Sequence, residues 1–183
     1  MEEIQRELEP RERLLWSGRP KQGVVFRTGD IFLIPFSLLW CGFAIFWEVS
    51  VLLSGAPFFF LLFGGVFVII GLNFVFGRFF WDSLQRSKTF YGISDDRVVI
   101  VSGVFQKSIN SLSLRTLSNL SVKESTNGQG TIFLGQVSFT ESMYGGMSFP
   151  GAPKGTPKLE LVNDAKRVFK TLIDAQKSAQ ADT

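Results

Sequence analysis

The 183-residue chain contains no histidine and one cysteine, Cys41. The first absence removes the commonest general base and the commonest transition-metal ligand together. The second excludes an internal disulfide framework. Charge is also missing, but only locally. From Ile31 to Trp81, 51 residues, only Glu48 and Arg78 are charged, so 33 of the 35 acidic and basic side chains share the other 132 positions. That remainder has an ordinary soluble density, whereas the uncharged window holds 13 of the 20 Phe. An apolar block joined to a water-compatible remainder excludes a plain cytosolic protein. The length suits one compact domain plus the block, and about one hundred residues after it suffice for a small core without disulfides or metal.

Two uncharged runs fill the block, Ile31 to Trp47 and Pro57 to Gly77. As helices they reach about 26 and 32 Å, close to the roughly 30 Å of a bilayer's hydrocarbon core. The expectation is a transmembrane hairpin over 31–81, with spans at about 31–50 and 57–77. The first thirty residues carry six basic and six acidic side chains, unlike a signal peptide, and read as a retained leader, 1–30. Arg19, Lys21 and Arg27 precede the first span; Arg78, Arg86 and Lys88 follow the second; the connector has no basic residue. By the positive-inside rule both termini face the cytoplasm. Trp16, Trp47 and Trp81 flank the spans as interfacial belts do, with Trp40 lying too deep. Ser37, Cys41 and Ala44 fall on one helical stripe and Gly64 and Gly71 two turns apart on the other, a pattern that permits close helix packing. Asn73 is placed to hydrogen-bond across that contact.

After the block, the apolar period shortens. Strands are expected at Lys88–Ser94, Arg97–Ser102, Phe105–Ser113, Leu120–Lys123, Thr131–Leu134, Gln136–Thr140 and Lys158–Val162, punctuated by Asp95-Asp96 and Asn127-Gly128-Gln129-Gly130. Asn163 is a candidate cap for a helix whose apolar positions Ala165, Val168, Phe169, Leu172 and Ile173 recur at helical spacing, with Phe169 at the centre of the face. The expected fold over 82–183 is a mainly-β barrel of about seven antiparallel strands, closed by a C-terminal α-helix.

The order of these features resembles the membrane-anchored bacterial pleckstrin-homology (PH) domain proteins. The residues that carry the resemblance are Glu12-Arg13-Leu14-Leu15-Trp16-Ser17-Gly18-Arg19-Pro20, the two-span hairpin, Phe90 to Val99 with its Ser94-Asp95-Asp96-Arg97 turn, Gly130-Thr131-Ile132, and the helix from Asn163 to Ile173. The resemblance implies a PH-like barrel and a role in binding or assembly. Phosphoinositide-binding members share a basic loop between their first two strands. Asp95 and Asp96 are expected there, and carboxylates repel phosphate.

No nucleotide loop, metal spacing or nucleophile elbow is present, so neither catalysis nor a cofactor is expected. The net charge of +3 is spread without an aromatic and basic stripe, which argues against nucleic acid. The Gly- and Pro-rich stretch Glu141 to Pro157 sets Met143, Tyr144, Met147 and Phe149 in a long aperiodic loop, a candidate contact surface or a cover for its own barrel. The leader is expected to pack on the barrel or form an interfacial collar. The expected function is a non-catalytic inner-membrane protein that presents a cytoplasmic PH-like domain. Its expected partners are membrane lipids and another membrane or cytoplasmic protein, or a second copy of the chain. The alternative is a small transporter or channel component with a regulatory barrel.

Overall fold

A computed structural model describes residues 2–26, 29–125, 127–137 and 155–181. The chain divides into two units, one from residues 2–23, 83–137 and 155–181, the other a helical hairpin within 24–82.

The first unit contains seven strands: β1 (Leu14–Gly18), β2 (Phe90–Ser94), β3 (Arg97–Ser102), β4 (Ser108–Ser113), β5 (Leu120–Glu124), β6 (Gly130–Leu134) and β7 (Lys158–Val162). They form two antiparallel sheets, ordered β1-β2-β3-β4 and β5-β6-β7. Helix α1 (Glu2–Gln5) precedes them. The C-terminal helix, Ala165–Ala181, is α5 in chain order. This is a PH-like barrel with a closing helix. Its core joins both sheets and the helix through Ile93, Val98, Leu114, Ile132, Leu159, Val168 and Leu172. Tyr91 is buried in it, and its hydroxyl accepts a hydrogen bond from Glu160 N on the other sheet (3.1 Å).

Three details differ from the sequence reading. The first strand comes from the leader. Leu14–Gly18 pairs with β2, Trp16 opposite Ile93 and Gly18 opposite Tyr91, so the domain is wider than 82–183 and the hairpin is inserted between its first two strands. Trp16 packs against the core and is no interfacial belt residue. Next, Gln136 and Val137 are not in a strand, and residues 138–140 lie outside the described residues; seven strands result because β1 takes that place. Finally, the buried line of α5 runs through Ala165, Val168, Leu172, Ala175 and Ala179, leaving Phe169 half-buried at its edge. The small residues bring the helix backbone close to the sheet. At Gly130, an added Cβ would lie 2.7 Å from Ala165 Cβ and 2.5 Å from Lys123 O, which only glycine tolerates. Asn163 Oδ1 accepts from Gln129 Nε2 (3.2 Å).

The second unit is a helical hairpin: α2 (Asp30–Leu53), α3 (Phe58–Leu72), a π-helical turn (Asn73–Gly77) and α4 (Arg78–Ser87), whose C-terminal residues belong to the barrel unit. Two helical stretches, Asp30–Leu53 and Phe58–Ser87, are long and apolar enough to cross a membrane. Their apolar side chains point outward: Phe32 is 80% and Leu53 81% exposed. Ser37, Cys41 and Ala44 are the buried apolar-stripe residues of α2, and Gly64 and Gly71 those of α3. A Cβ at Gly71 would stand 3.0 Å from Cys41 Cα. Among the described residues no hydrogen bond from the Asn73 side chain crosses to α2. The Asn73 amide lies against Gly77 on its own helix, where the π turn widens the backbone spiral.

Candidate functional site

Strand β3 reads Arg-Val-Val-Ile-Val-Ser, and both of its faces are buried. Val98 and Ile100 point into the barrel, as alternation requires, while Val99 and Val101 point outward and are only 1% and 3% exposed. The leader covers them. Ile4 on α1 is 1% exposed and packs with Val99 and Val101; Leu8, Leu14 and Phe90 complete this second cluster. Gly92 of β2 forms the notch for Ile4, since a Cβ there would fall 2.5 Å from Ile4 Cγ2.

Cations rim the apolar floor. Lys107 Nζ reaches Glu7 Oε1 at 2.6 Å and Glu3 Oε2 at 3.5 Å. The hydrogen bond to Glu7 raises the Lys107 pKa above its usual value. At the other rim, Arg97 meets Glu12 side-on, with Nε to Oε1 at 3.0 Å and Nη2 to Oε2 at 2.8 Å, and donates to Glu7 O at 3.2 Å. Ser94 Oγ donates to Glu12 and accepts from Arg97 N (3.0 Å), which ties the β2–β3 turn to the same carboxylate. Burial alone would raise the Glu12 pKa; the hydrogen bonds from Arg97 and Ser94 outweigh it and hold the carboxyl below its usual value. The same bond with Glu12 raises Arg97 further. Asp95 accepts from Arg13 N (3.0 Å), so this turn is occupied by the leader.

A second polar centre closes the barrel where the hairpin departs and returns. The Arg86 guanidinium is buried. It donates through Nη1 to Lys21 O and through Nη2 to Gly23 O (2.6 Å), while Gln22 Nε2 donates to Arg86 O (3.2 Å). Lys21 N donates to Leu161 O (3.0 Å). Arg86 thus clasps the outgoing segment to the returning one.

A family model described as bacterial PH domain matches residues 33–176. The chain belongs to the bacterial PH domain family. The match spans the hairpin as well as the strands and helix that follow. A solved protein of Shewanella loihica PV-4, described as a DUF1696 family protein with a pleckstrin-homology domain, aligns at 13% identity over 50% of this chain and 74% of its own, with a TM-score of 0.33. No curated protein matches the chain.

Within this PH domain, the residues singled out from sequence fall in different places. Arg19 stacks over Phe90 (4.2 Å to the ring centre). Arg78 pairs with Asp30 (2.9 Å) at one end of the hairpin. Arg86 is buried in the clasp, Lys88 is exposed, and Arg27 lies outside the described residues. Met143, Tyr144, Met147 and Phe149 also lie outside them. The Asp95-Asp96 turn joins β2 to β3, and the connection between the first two strands is instead the whole hairpin insertion. Among the described residues, no group of three or more His, Cys, Asp or Glu side chains is placed to hold a metal ion. The leader groove was missed from sequence, although a signal was present. Val98-Val99-Ile100-Val101 is continuously apolar, which marks a strand covered on both faces, and Glu3/Glu7 and Ile4/Leu8 repeat at helical spacing.

Proposed function

We propose that this protein is a non-catalytic, multi-pass membrane protein that presents its PH domain on the cytoplasmic face for contact with another protein or with the lipid surface. The observation that carries the reading is the origin of β1. Because Leu14–Gly18 and Phe90–Ser94 are neighbours in one sheet, both ends of the hairpin start from the same barrel, and a pair of crossings returns the chain to the side it left. The basic residues flanking the spans put that side in the cytoplasm. The outward Phe and Leu side chains of the hairpin form an apolar surface larger than water-soluble monomers expose, and lipid covers it. The candidate contact surface is the loop carrying Met143, Tyr144, Met147 and Phe149.

Reporter fusions test the topology. Alkaline phosphatase joined after Thr183 is expected to be inactive, and the same enzyme inserted within Ser50 to Ala56 active; the reverse pattern overturns it. For the contact role, polar replacement of all four loop residues should leave the melting temperature unchanged while abolishing recovery of a partner from detergent extracts or retention on vesicles. Collapse of stability would assign those residues to the fold.

A further inference from the structure

The leader is held far less firmly than the surface beneath it requires. Helix α1 has four residues, too few for stability of its own. One fully buried side chain, Ile4, a half-buried Leu8 and the Arg97 hydrogen bond to Glu7 O anchor it. Its ion pairs to Lys107 lie at the rim, with side-chain exposures of 45% for Lys107, 43% for Glu3 and 23% for Glu7, and rim pairs contribute little to holding a segment in place. The floor is different. Val99, Val101 and Phe90 belong to two central strands, and baring them exposes an apolar sheet face. A cover so lightly attached to a surface that must stay covered is exchangeable.

We infer that the outer face of β2 and β3, with its Gly92 notch, Val99/Val101 floor and Lys107 rim, is a docking groove for an acidic amphipathic segment of a partner protein, for which residues 2–8 are the resident stand-in. The inference rests on the proposed contact role and names the chemistry of the partner. Complementarity comes from the occupant already in place. Ile4 and Leu8 supply apolar groups four residues apart, Glu3 and Glu7 supply carboxylates at the same spacing for Lys107, and Arg97 donates to the Glu7 backbone carbonyl. The Glu12–Arg97 pair lies beyond this segment and keeps β1 in place when residues 2–8 leave.

The test uses the full chain in detergent, the same chain lacking residues 1–8, and a fluorescent peptide of residues 2–9 as the probe. The truncated chain should bind the peptide saturably. The full chain should bind it about tenfold or more weakly, because a tethered segment competes at an effective concentration in the millimolar range. In the truncated chain, Lys107→Glu should weaken binding by about tenfold, as reversing one member of close charge pairs does, and a peptide with Glu3→Lys and Glu7→Lys should recover it. Should truncation abolish cooperative melting, the full-length Ile4→Asp chain, whose leader is intact but evicted, replaces it. Absence of peptide binding by a folded, uncovered chain overturns the inference. So does equal binding by full and uncovered chains, or a dimer of the full chain that dissociates on truncation, which would assign the groove to the leader of a second copy. Partner recovery in detergent extracts is scored separately. Its persistence without peptide binding rejects the groove alone, and peptide binding without any recovered partner rejects the contact role alone.

Discussion

Gly92 shows how one absent methyl group decides where a segment docks. Its Cα faces Ile4 so closely that Gly92→Ala should overpack the notch, at a cost of about 1 to 3 kcal/mol, borne by the leader. Hydrogen exchange should rise at residues 2–8 and stay unchanged in the barrel core; uniform loosening would contradict this assignment. Leu172 and Phe169 offer the matching comparison on α5. Leu172 is 0% exposed at the centre of the buried line, so Leu172→Ala should destabilise by about 2 to 5 kcal/mol. Phe169→Ala, at the half-buried edge, should have the smaller effect in the same denaturation measurement. Arg86 acts through geometry as well as charge. Its two nitrogens satisfy two carbonyls on different residues, and Arg86→Lys, with one charged centre, should lose about 1.5 to 3 kcal/mol for the hydrogen bond to a charged group that it cannot replace.

Among the elements, the leader carries the clearest pH dependence. Glu12 titrates below its usual value in the folded chain, so the unfolded state takes up its proton first as pH falls. The pair therefore contributes its full stability above the ordinary glutamate value of about 4.3 to 4.5. That contribution is lost as pH drops through the lower folded value. Hydrogen exchange across β1 and the β2–β3 turn should be flat from neutral pH to about 4.5 after correction for intrinsic rates and rise below it. Glu12→Gln should remove the transition. In the hairpin, the close approach of Gly71 to Cys41 makes a different prediction. A Cβ at position 71 would lie 3.2 Å from Cys41 Cβ, a few tenths of an ångström inside the roughly 3.5 to 4.5 Å of disulfides, so a slight parting of the helices suffices. Gly71→Cys should therefore cross-link to Cys41 on oxidation, within one chain, as read by mass. Failure to cross-link would place a different face of α3 against α2.

For the whole molecule, the consequential fact is that the barrel is interrupted by the hairpin. A fragment covering 82–183 lacks β1, which leaves the β2 edge unpaired and the Trp16 contact with the core missing. It should aggregate or melt without cooperativity. Residues 1–23 joined directly to 83–183 by a short flexible linker retain β1, the Glu12–Arg97 pair and the Arg86 clasp. That chain should fold as a soluble domain with a cooperative thermal transition. Equal stability of the two fragments would show that β1 is dispensable. The experiment also separates the barrel's own stability from any contribution of the helical hairpin.

Long-range absences and regular periods were legible in the sequence. Two charges in 51 residues announce two helices long and apolar enough to cross a membrane, because run length and composition are local properties of the chain. The spacing of Ala165, Val168 and Leu172 announces a helix, because that period belongs to the local backbone. The short strands and the Asp95-Asp96 turn are likewise local. The origin of β1 depended on tertiary structure. Leu14-Leu15-Trp16-Ser17-Gly18 has no clean alternation, and its partner lies beyond the entire hairpin, so only pairing in space makes it a strand. The leader groove shares that dependence. Ile4, Gly92, Val99 and Lys107 form one surface because β2 and β3 pair in a particular register and the chain ahead of β1 folds back over them. Local sequence specifies each piece through periods and propensities, whereas the surface they share arises from contacts between residues far apart in the chain.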